Sequence, residues 1–408
     1  MADRGPARRV VITGRGTVNA LGHDVPTTLD AMRAGRSAIA ALEIRDLDRL
    51  AIRIGAQVRG YDEAAMFDRA ELTLYDRATQ FAILSARQAV AEAGLEIAPG
   101  DAARAGVILG TSGGGLTTQD ENFRAVYEAR KNRVHPFVVP RLMANAAAAH
   151  LSMLHGLQGP AFTVSTACAS SNHAIALSAQ MIRSGAADVM LTGGAEAMLC
   201  FGGVKAWEGL RVMSTDTCRP FCTTRSGMVQ GEGAGVFVLE AREHAQARGA
   251  TILGEIAGVA MNADAADIVV PSGEGAARAM AGALHDARLD PGDIAYVNAH
   301  GTGTTANDRT ECAAIRAVFG PAADDLAVSS TKSMHGHCIG ATGAIELLAC
   351  LMALDEGLVA PTANWRAADP DCDLDVVPNV ARDVPVGACL SNAFAFGGMN
   401  AVLALIAP

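Results

Sequence analysis

Apolar residues along this chain fall in short unbroken runs that end abruptly in glycine or small polar residues. In the first half these are RRVVITGRG, AGVILGTSGGG, AFTVSTACASS and DVMLTGGAEA. Strands buried on both faces read this way, as continuous Val/Ile/Leu stretches without alternation. Between them lie alanine-rich segments of helical periodicity, such as ATQFAILSARQAVAEAGL. The pattern predicts an α/β architecture.

The second half repeats the arrangement with ATILGEIAGVAMN, IAYVNAHGTGT, LAVSSTKSMHG and ACLSNAFAFGG, and with helices such as GAARAMAGALHDARL between them. Each half closes on a similar phrase, GEGAGVFVLE and then FGGMNAVLALI. The period is half the chain, far too long for a solenoid, and implies two similar halves, 1–250 and 251–408. A chain of 408 residues also exceeds the roughly 250 to 300 at which one core stops growing. In open α/β sheets, sites form beyond the carboxyl ends of strands, where TACASS, AHGTGT, KSMHGH and AFAFGG all fall. These four loops are expected to meet. The stretches 111–155 and 198–230 read as insertions that cap the site or form an interface.

Half of the residues are hydrophobic, 4% are aromatic and 43 are glycine, as in a tightly packed enzyme. Mean hydropathy is +0.21, yet no apolar run approaches the roughly 20 residues of a spanning helix. MADRGPARRVVITG has a basic lead but no signal-peptide core, so a cytoplasmic location is expected. Nine scattered cysteines suggest reduced thiols, and the Cys218/Cys222 pair has no companion at zinc spacing. A net charge of −10 argues against nonspecific nucleic-acid binding. An acidic partner would need a local basic patch, for which Arg130, Lys131, Arg133, Lys205 and Arg211 are candidates.

Cys168 ends the run TVSTAC and precedes ASSNHAIALSAQMIRSG, of helical character. A helix N-terminus is expected to lower the thiol's pKa and favour a thiolate nucleophile. Such a nucleophile needs partners for charge on its substrate, and histidine is the usual choice. His300 ends IAYVNAH, and His337 follows LAVSS in an equivalent loop, both opposite the cysteine loop in the duplicated arrangement. His335 stands one glycine before His337, but nothing in the sequence supplies the further ligands of a metal clip, so no metal is expected.

TACASS, GEGAG, NAHGTGTTAND, SSTKSMHGH and SNAFAFGGMN resemble, in order and spacing, the motifs of the β-ketoacyl-acyl-carrier-protein synthases, from VVITG near residue 10 to VLALI near 406. The resemblance implies the thiolase fold, two βαβαβαββ halves in a five-layered αβαβα sandwich, and a homodimer. It also implies decarboxylative condensation of an acyl chain on Cys168 with malonyl on an acyl carrier protein, giving a 3-ketoacyl product and CO₂. His300 and His337 would stabilise the enolate, and the N–H groups of Cys168 and Phe396 would form an oxyanion hole. Lys332 and Glu346 match residues that support the second histidine, and Asp308 matches a buried acid of the His300 loop. Thr302 and Thr304 match hydroxyls that contact phosphopantetheine, and Phe396, with Phe394 nearby in the same motif, matches the gate. Beyond the phosphopantetheine of the carrier, no cofactor is implied.

Relatives that prime with acyl-CoA carry Asn where this chain has His337, and thiolases carry a second catalytic cysteine; neither change is present. Gly113 and Val138 stand where related elongating enzymes carry larger side chains. With Gly203 and Trp207 as further pocket candidates, this predicts a wider acyl pocket unless neighbours refill the space. Met399 replaces a threonine common in the tail motif. SSNHAIA, SMHGHCIGA and ANWRAADPDCDLDVVPN look most like the nodulation-type synthases of rhizobia. The competing readings are a noncatalytic or chain-length-determining subunit of a heterodimer, which Cys168 argues against, and a Cys-His thioester hydrolase, which gives no reason for two histidines and a lysine.

Overall fold

The computed structural model describes residues 8–408. Ten strands form its central sheet: β1 (Val10–Asn19), β2 (Ala105–Gly110), β3 (Ala161–Val164), β4 (Val189–Glu196), β5 (Gly233–Ala241), β6 (Gly254–Ala263), β7 (Tyr296–Asn298), β8 (Ala327–Ser329), β9 (Ala388–Ala395) and β10 (Met399–Ile406). Their spatial order is β8-β7-β9-β10-β6-β1-β5-β4-β2-β3. Cut between β6 and β1, this becomes two five-stranded sheets with one strand order, 3-2-4-5-1 in each half's own count. The directions match as well: the three outer strands of each half run parallel, and the two inner ones close the half as antiparallel neighbours. Only two residue pairs, Val11 with Glu255 and Ile12 with Gly254, join the halves edge to edge.

Helices fill three layers. α1 (Arg77–Ala93) and α2 (Ala146–His155) cover the outer face of the first sheet, and α5 (Gly273–Ala287) covers the outer face of the second beside α6 (Thr305–Phe319). Between the sheets lie α3 (Ser170–Arg183) and α7 (Thr342–Glu356), each touching strands of both halves. Thr342 to Leu354 are all buried, as expected of a helix apolar on every side that serves as core. The result is the five-layered αβαβα sandwich of the thiolase fold. Local signals set the helix ends: the Asp76 carboxylate accepts from Ala78 N–H at the start of α1, and Gly94 in the left-handed region ends it.

The inserted segment 111–155 contains helices Leu116–Phe123 and Val138–Leu142 together with α2, and 198–230 contains α4 (Phe201–Gly209). The end of β2 approaches the start of α3 so closely that a Cβ on Gly110 would lie 2.3 Å from Ser170 C and 2.4 Å from Ser171 N. Backbone atoms cannot yield as a flexible side chain can. Gly110→Ala is therefore expected to lower unfolding stability in urea by about 1–3 kcal/mol, or to prevent folding, and an unchanged midpoint would contradict the close approach.

Candidate active site

The four loops meet. Cys168 lies in a single turn, Ala167–Ala169, leading directly into α3, and its Sγ lies within 4.8 Å of a ring nitrogen of His300 and of His337, which are equally close to each other. The two imidazoles cross edge to face at 5.6 Å. Ala167, before the nucleophile, holds φ +48, a strained value for a residue with a Cβ. Its carbonyl accepts from the hydroxyls of Ser112 at 2.9 Å and Ser170 at 2.7 Å, which fix the turn.

Each histidine is held by its backbone. His337 N–H donates to Val229 O at 2.7 Å, and its Nδ1 accepts from Ile339 N–H at 3.2 Å and the Thr342 hydroxyl at 2.8 Å. An Nδ1 that accepts a backbone N–H carries no proton, so the ring hydrogen sits on Nε2. That Nε2 has no hydrogen-bond partner among the described residues and faces the cleft as a free donor. His300 N–H and Gly301 N–H donate to the two carboxylate oxygens of Glu311 at 2.8 and 2.7 Å, and the Asn392 amide donates to Oε1 at 3.1 Å. Burial first, and then the Lys332 ammonium, hold both imidazoles well below their ordinary pKa; each also feels a neighbouring histidine. Both are neutral at physiological pH.

Lys332 and Glu346 form an ion pair at 2.5 Å with essentially no exposure. Burial pushes Glu346 up to about 7 even against the adjacent ammonium. Asp308, pushed up to about 6 by burial, accepts from Phe221 N–H at 2.8 Å and lies 3.8 Å from the Arg225 guanidinium, bracing the His300 loop from below.

The expectation of a depressed Cys168 pKa is reversed. Burial raises the thiol to about 12; the Lys332 ammonium and the N–H groups of Cys168 and Phe396 pull the other way without winning. At this helix start desolvation outweighs the dipole and the backbone N–H groups.

The three chemical groups line a cleft of about 120 Å³ with Thr302, Thr304, Phe394, Phe396 and Trp207. Phe396 stacks on Trp207 at 5.9 Å, and the Thr302 and Thr304 hydroxyls lie 2.9 Å apart. The other pocket candidates differ. A Cβ on Gly113 would come within 2.9 Å of Met198 Cε, and one on Gly203 within 2.2 Å of Met198 O, so Met198 packs against both glycines. Val138 is half-buried on the short helix Val138–Leu142, outside the cleft. Arg130, Lys131, Arg133 and Arg211 are exposed, whereas Lys205 is paired with Glu208 at 2.6 Å.

Two carboxylates escaped the sequence reading. Glu311 stands three residues after Asp308, on the same face of α6, and that spacing was its only signal. Glu196 ends β4 and accepts from the N–H groups of Ser112, Gly113 and Gly340 at 2.7, 3.1 and 3.1 Å and from the Thr111 hydroxyl at 3.1 Å. It ties the glycine loop to the turn after His337, and burial pushes it up to about 7.

Family models for the N-terminal and C-terminal domains of β-ketoacyl synthases match residues 7–245 and 253–366. The chain belongs to the β-ketoacyl synthase family. It is 52% identical over 397 residues to Nodulation protein E of Rhizobium sp. (strain N33), covering 97% of this chain and 98% of that one. With 3-oxoacyl-[acyl-carrier-protein] synthase 2 of Staphylococcus aureus (strain COL) it shares 40% identity over 403 residues, 97% of each chain. A solved type II polyketide ketosynthase, bound to the hexaketide and in complex with its acyl-carrier protein, superimposes with TM-score 0.89 at 30% identity, covering 99% of this chain and 100% of that one. The synthase is thus an acyltransferase of the elongating type, with one cysteine and two histidines converging in its site.

His335 does not share the cleft: its Nε2 lies 2.9 Å from the Thr331 hydroxyl, and the ring is wholly buried. His337→Ala is expected to lower condensation by about 100- to 1,000-fold, the cost of one oriented donor, while His335→Thr keeps most activity. Equal losses in a steady-state assay would show that the two rings share the work.

Proposed function

We propose that this synthase takes an acyl chain from acyl carrier protein onto Cys168 and condenses it with malonyl carried on the same type of protein, releasing CO₂ and 3-ketoacyl product. The Cys168 sulfur attacks the acyl thioester carbonyl, and the carrier thiol leaves with the proton that the cysteine gives up. The N–H groups of Cys168 and Phe396, which already pull the thiol toward its anion, would receive the oxyanion. Malonyl then binds with its thioester carbonyl toward His300 and His337. The observation that carries the reading is the fixed tautomer of His337, whose Nε2–H is aimed into the cleft beside the nucleophile. Neutral imidazoles donate to the developing enolate oxygen as the C–CO₂ bond breaks. The carbanion attacks the acyl-cysteine, and the cysteine leaves and regains a proton.

Lys332 and Glu346 support the histidines from below, and Asp308 and Glu311 position the His300 loop. Thr302 and Thr304 offer hydroxyls to the phosphopantetheine arm, and Phe396 gates the acyl pocket, with left-handed Gly397 and Gly398 after it as the pivot. No metal is needed: a protonated Nε2 is a donor and not a ligand. Fatty-acid-like elongation in a dedicated pathway is the setting that the identity to Nodulation protein E favours. The carrier would meet the exposed Arg130, Lys131, Arg133 and Arg211. A cytoplasmic location fits the lack, among the described residues, of any helix long and apolar enough to cross a membrane.

The partner in the dimer would be a second copy. Phe123, Tyr127, Val134, Phe137, Val139, Met143, Met153 and Leu154 are exposed within one stretch, beside the half-exposed edge strand β3. An apolar surface of this size on a single chain marks an interface. Val139→Glu with Met153→Glu is expected to shift the molecular mass in sedimentation from dimer to monomer; a monomeric wild type would refute the assignment.

Cys168→Ala is expected to abolish formation of 3-ketoacyl product from acyl- and malonyl-carrier proteins. Persistence of that activity in the purified variant would favour a subunit whose chemistry comes from elsewhere.

A further inference from the structure

A single oxygen atom joins the loop that braces the nucleophile to the turn that follows an enolate donor. The carboxylate of Glu196 is wholly buried at the end of β4, and its four hydrogen bonds all come from uncharged groups. Its Oε2 accepts from Ser112 N–H at 2.7 Å and from Gly340 N–H at 3.1 Å. These two donors belong to different halves of the duplicated fold. The Ser112 hydroxyl donates to the carbonyl of Ala167, the residue before Cys168, at 2.9 Å. Gly340 follows His337 by three residues, and Ile339 N–H between them holds the imidazole at Nδ1. There is no slack at the junction: a Cβ on Gly340 would lie 2.6 Å from Ser112 N and 2.7 Å from Glu196 Oε2. Burying a carboxylate among uncharged donors costs stability, so the use of Glu196 lies in what it joins.

We propose that Glu196 is a positioning residue that fixes the distance between Cys168 and His337 and so couples decarboxylation to carbon–carbon bond formation. The inference rests on the condensation reading above. Acylation uses the cysteine turn and its oxyanion donors, and decarboxylation uses the histidines. Joining the two steps further requires the enolate carbon within about 3–3.5 Å of the acyl carbon. When the C–CO₂ bond breaks, its electron pair passes into the enolate. With the acyl carbon in reach, that pair forms the new C–C bond as the C–S bond to Cys168 breaks, and the released thiolate takes a proton from solvent. With the acyl carbon out of reach, the same pair takes the proton instead, leaving acetyl thioester, CO₂ and an unreacted acyl-cysteine. A misplacement of 1 Å lowers bond formation by roughly 100-fold, whereas protonation by water needs no such placement.

The test uses the full-length enzyme with Glu196→Gln and Gly340→Ala, supplied with acyl- and malonyl-carrier proteins, and reads CO₂, 3-ketoacyl and acetyl products together. Glutamine offers one oxygen where the carboxylate offers two, so its amide N–H must face a backbone N–H. Gly340→Ala keeps the carboxylate and wedges the two loops apart. The wild type is expected to form CO₂ and 3-ketoacyl product in equal amounts. In each variant the ratio of CO₂ to 3-ketoacyl product is expected to rise by about tenfold or more, with acetyl thioester making up the difference. The ratio does not depend on how much of a preparation is folded, so a variant that only loses structure leaves it at the wild-type value. A raised ratio in either variant supports the coupling, and the glutamine variant carries the test if the alanine variant fails to fold. Wild-type ratios in both would overturn the coupling alone. A wild type that forms no 3-ketoacyl product would overturn the condensation reading, and the coupling with it.

Discussion

The ammonium of Lys332 has no access to water and a single carboxylate, Glu346, at 2.5 Å. A buried ion pair is a poor source of stability, because desolvation of both charges offsets most of their attraction. Its value here is electrostatic. After burial itself, Lys332 is the leading influence on His300, His337, His335 and Cys168. Behind burial, this one charge favours the neutral form of three imidazoles and draws the thiol toward its anion. Histidines that protonated beside this ammonium would add like charge to a buried site, so its presence reinforces the neutrality that burial sets. Glu346 can stand in the middle of the otherwise apolar helix α7 only because Lys332 meets it there.

The duplicated fold explains how that charge comes to serve all of them. Strand order 3-2-4-5-1 in each half places corresponding strand ends on opposite sides of the α3/α7 layer. Cys168 enters at the start of α3, and His337 lies five residues before α7. His300 follows β7, the strand beside β9, whose end carries Phe394 and leads to Phe396. A single sheet would offer one row of strand ends; two sheets facing through a shared helical layer supply nucleophile and donors from opposing walls.

The layers, the internal repeat and the residues at strand ends were legible in the sequence because local signals mark them: unbroken apolar runs, and glycine or small polar residues where each run stops. What was hidden is contact between distant segments. Glu196 and Glu311 look like ordinary acids in the chain, and only folding shows that each collects backbone N–H groups from a loop that carries chemistry. The same limit applies at Gly113. A missing side chain is visible in sequence, but the methionine that fills its place comes from 85 residues away. The thiol's ionisation was misjudged for a related reason, since a helix end is read locally whereas burial is a property of the whole layer.

The two histidines around Gly336 show how far one residue can separate neighbours. Gly336 holds φ +68 with an extended ψ, a region open essentially to glycine alone, and a Cβ there would press within 2.8 Å of Ala56 Cβ. The chain therefore turns sharply between the rings. His335 is directed back toward Thr331 within its own short helix, and His337 is directed across to Ile339 and Thr342, leaving Nε2 in the cleft. An imidazole satisfied at one nitrogen and buried at the other adds packing and a neutral neighbour to Lys332. An imidazole fixed at Nδ1 and free at Nε2 adds a donor whose direction is set before substrate arrives, so the same side chain has two uses according to which nitrogen the backbone engages.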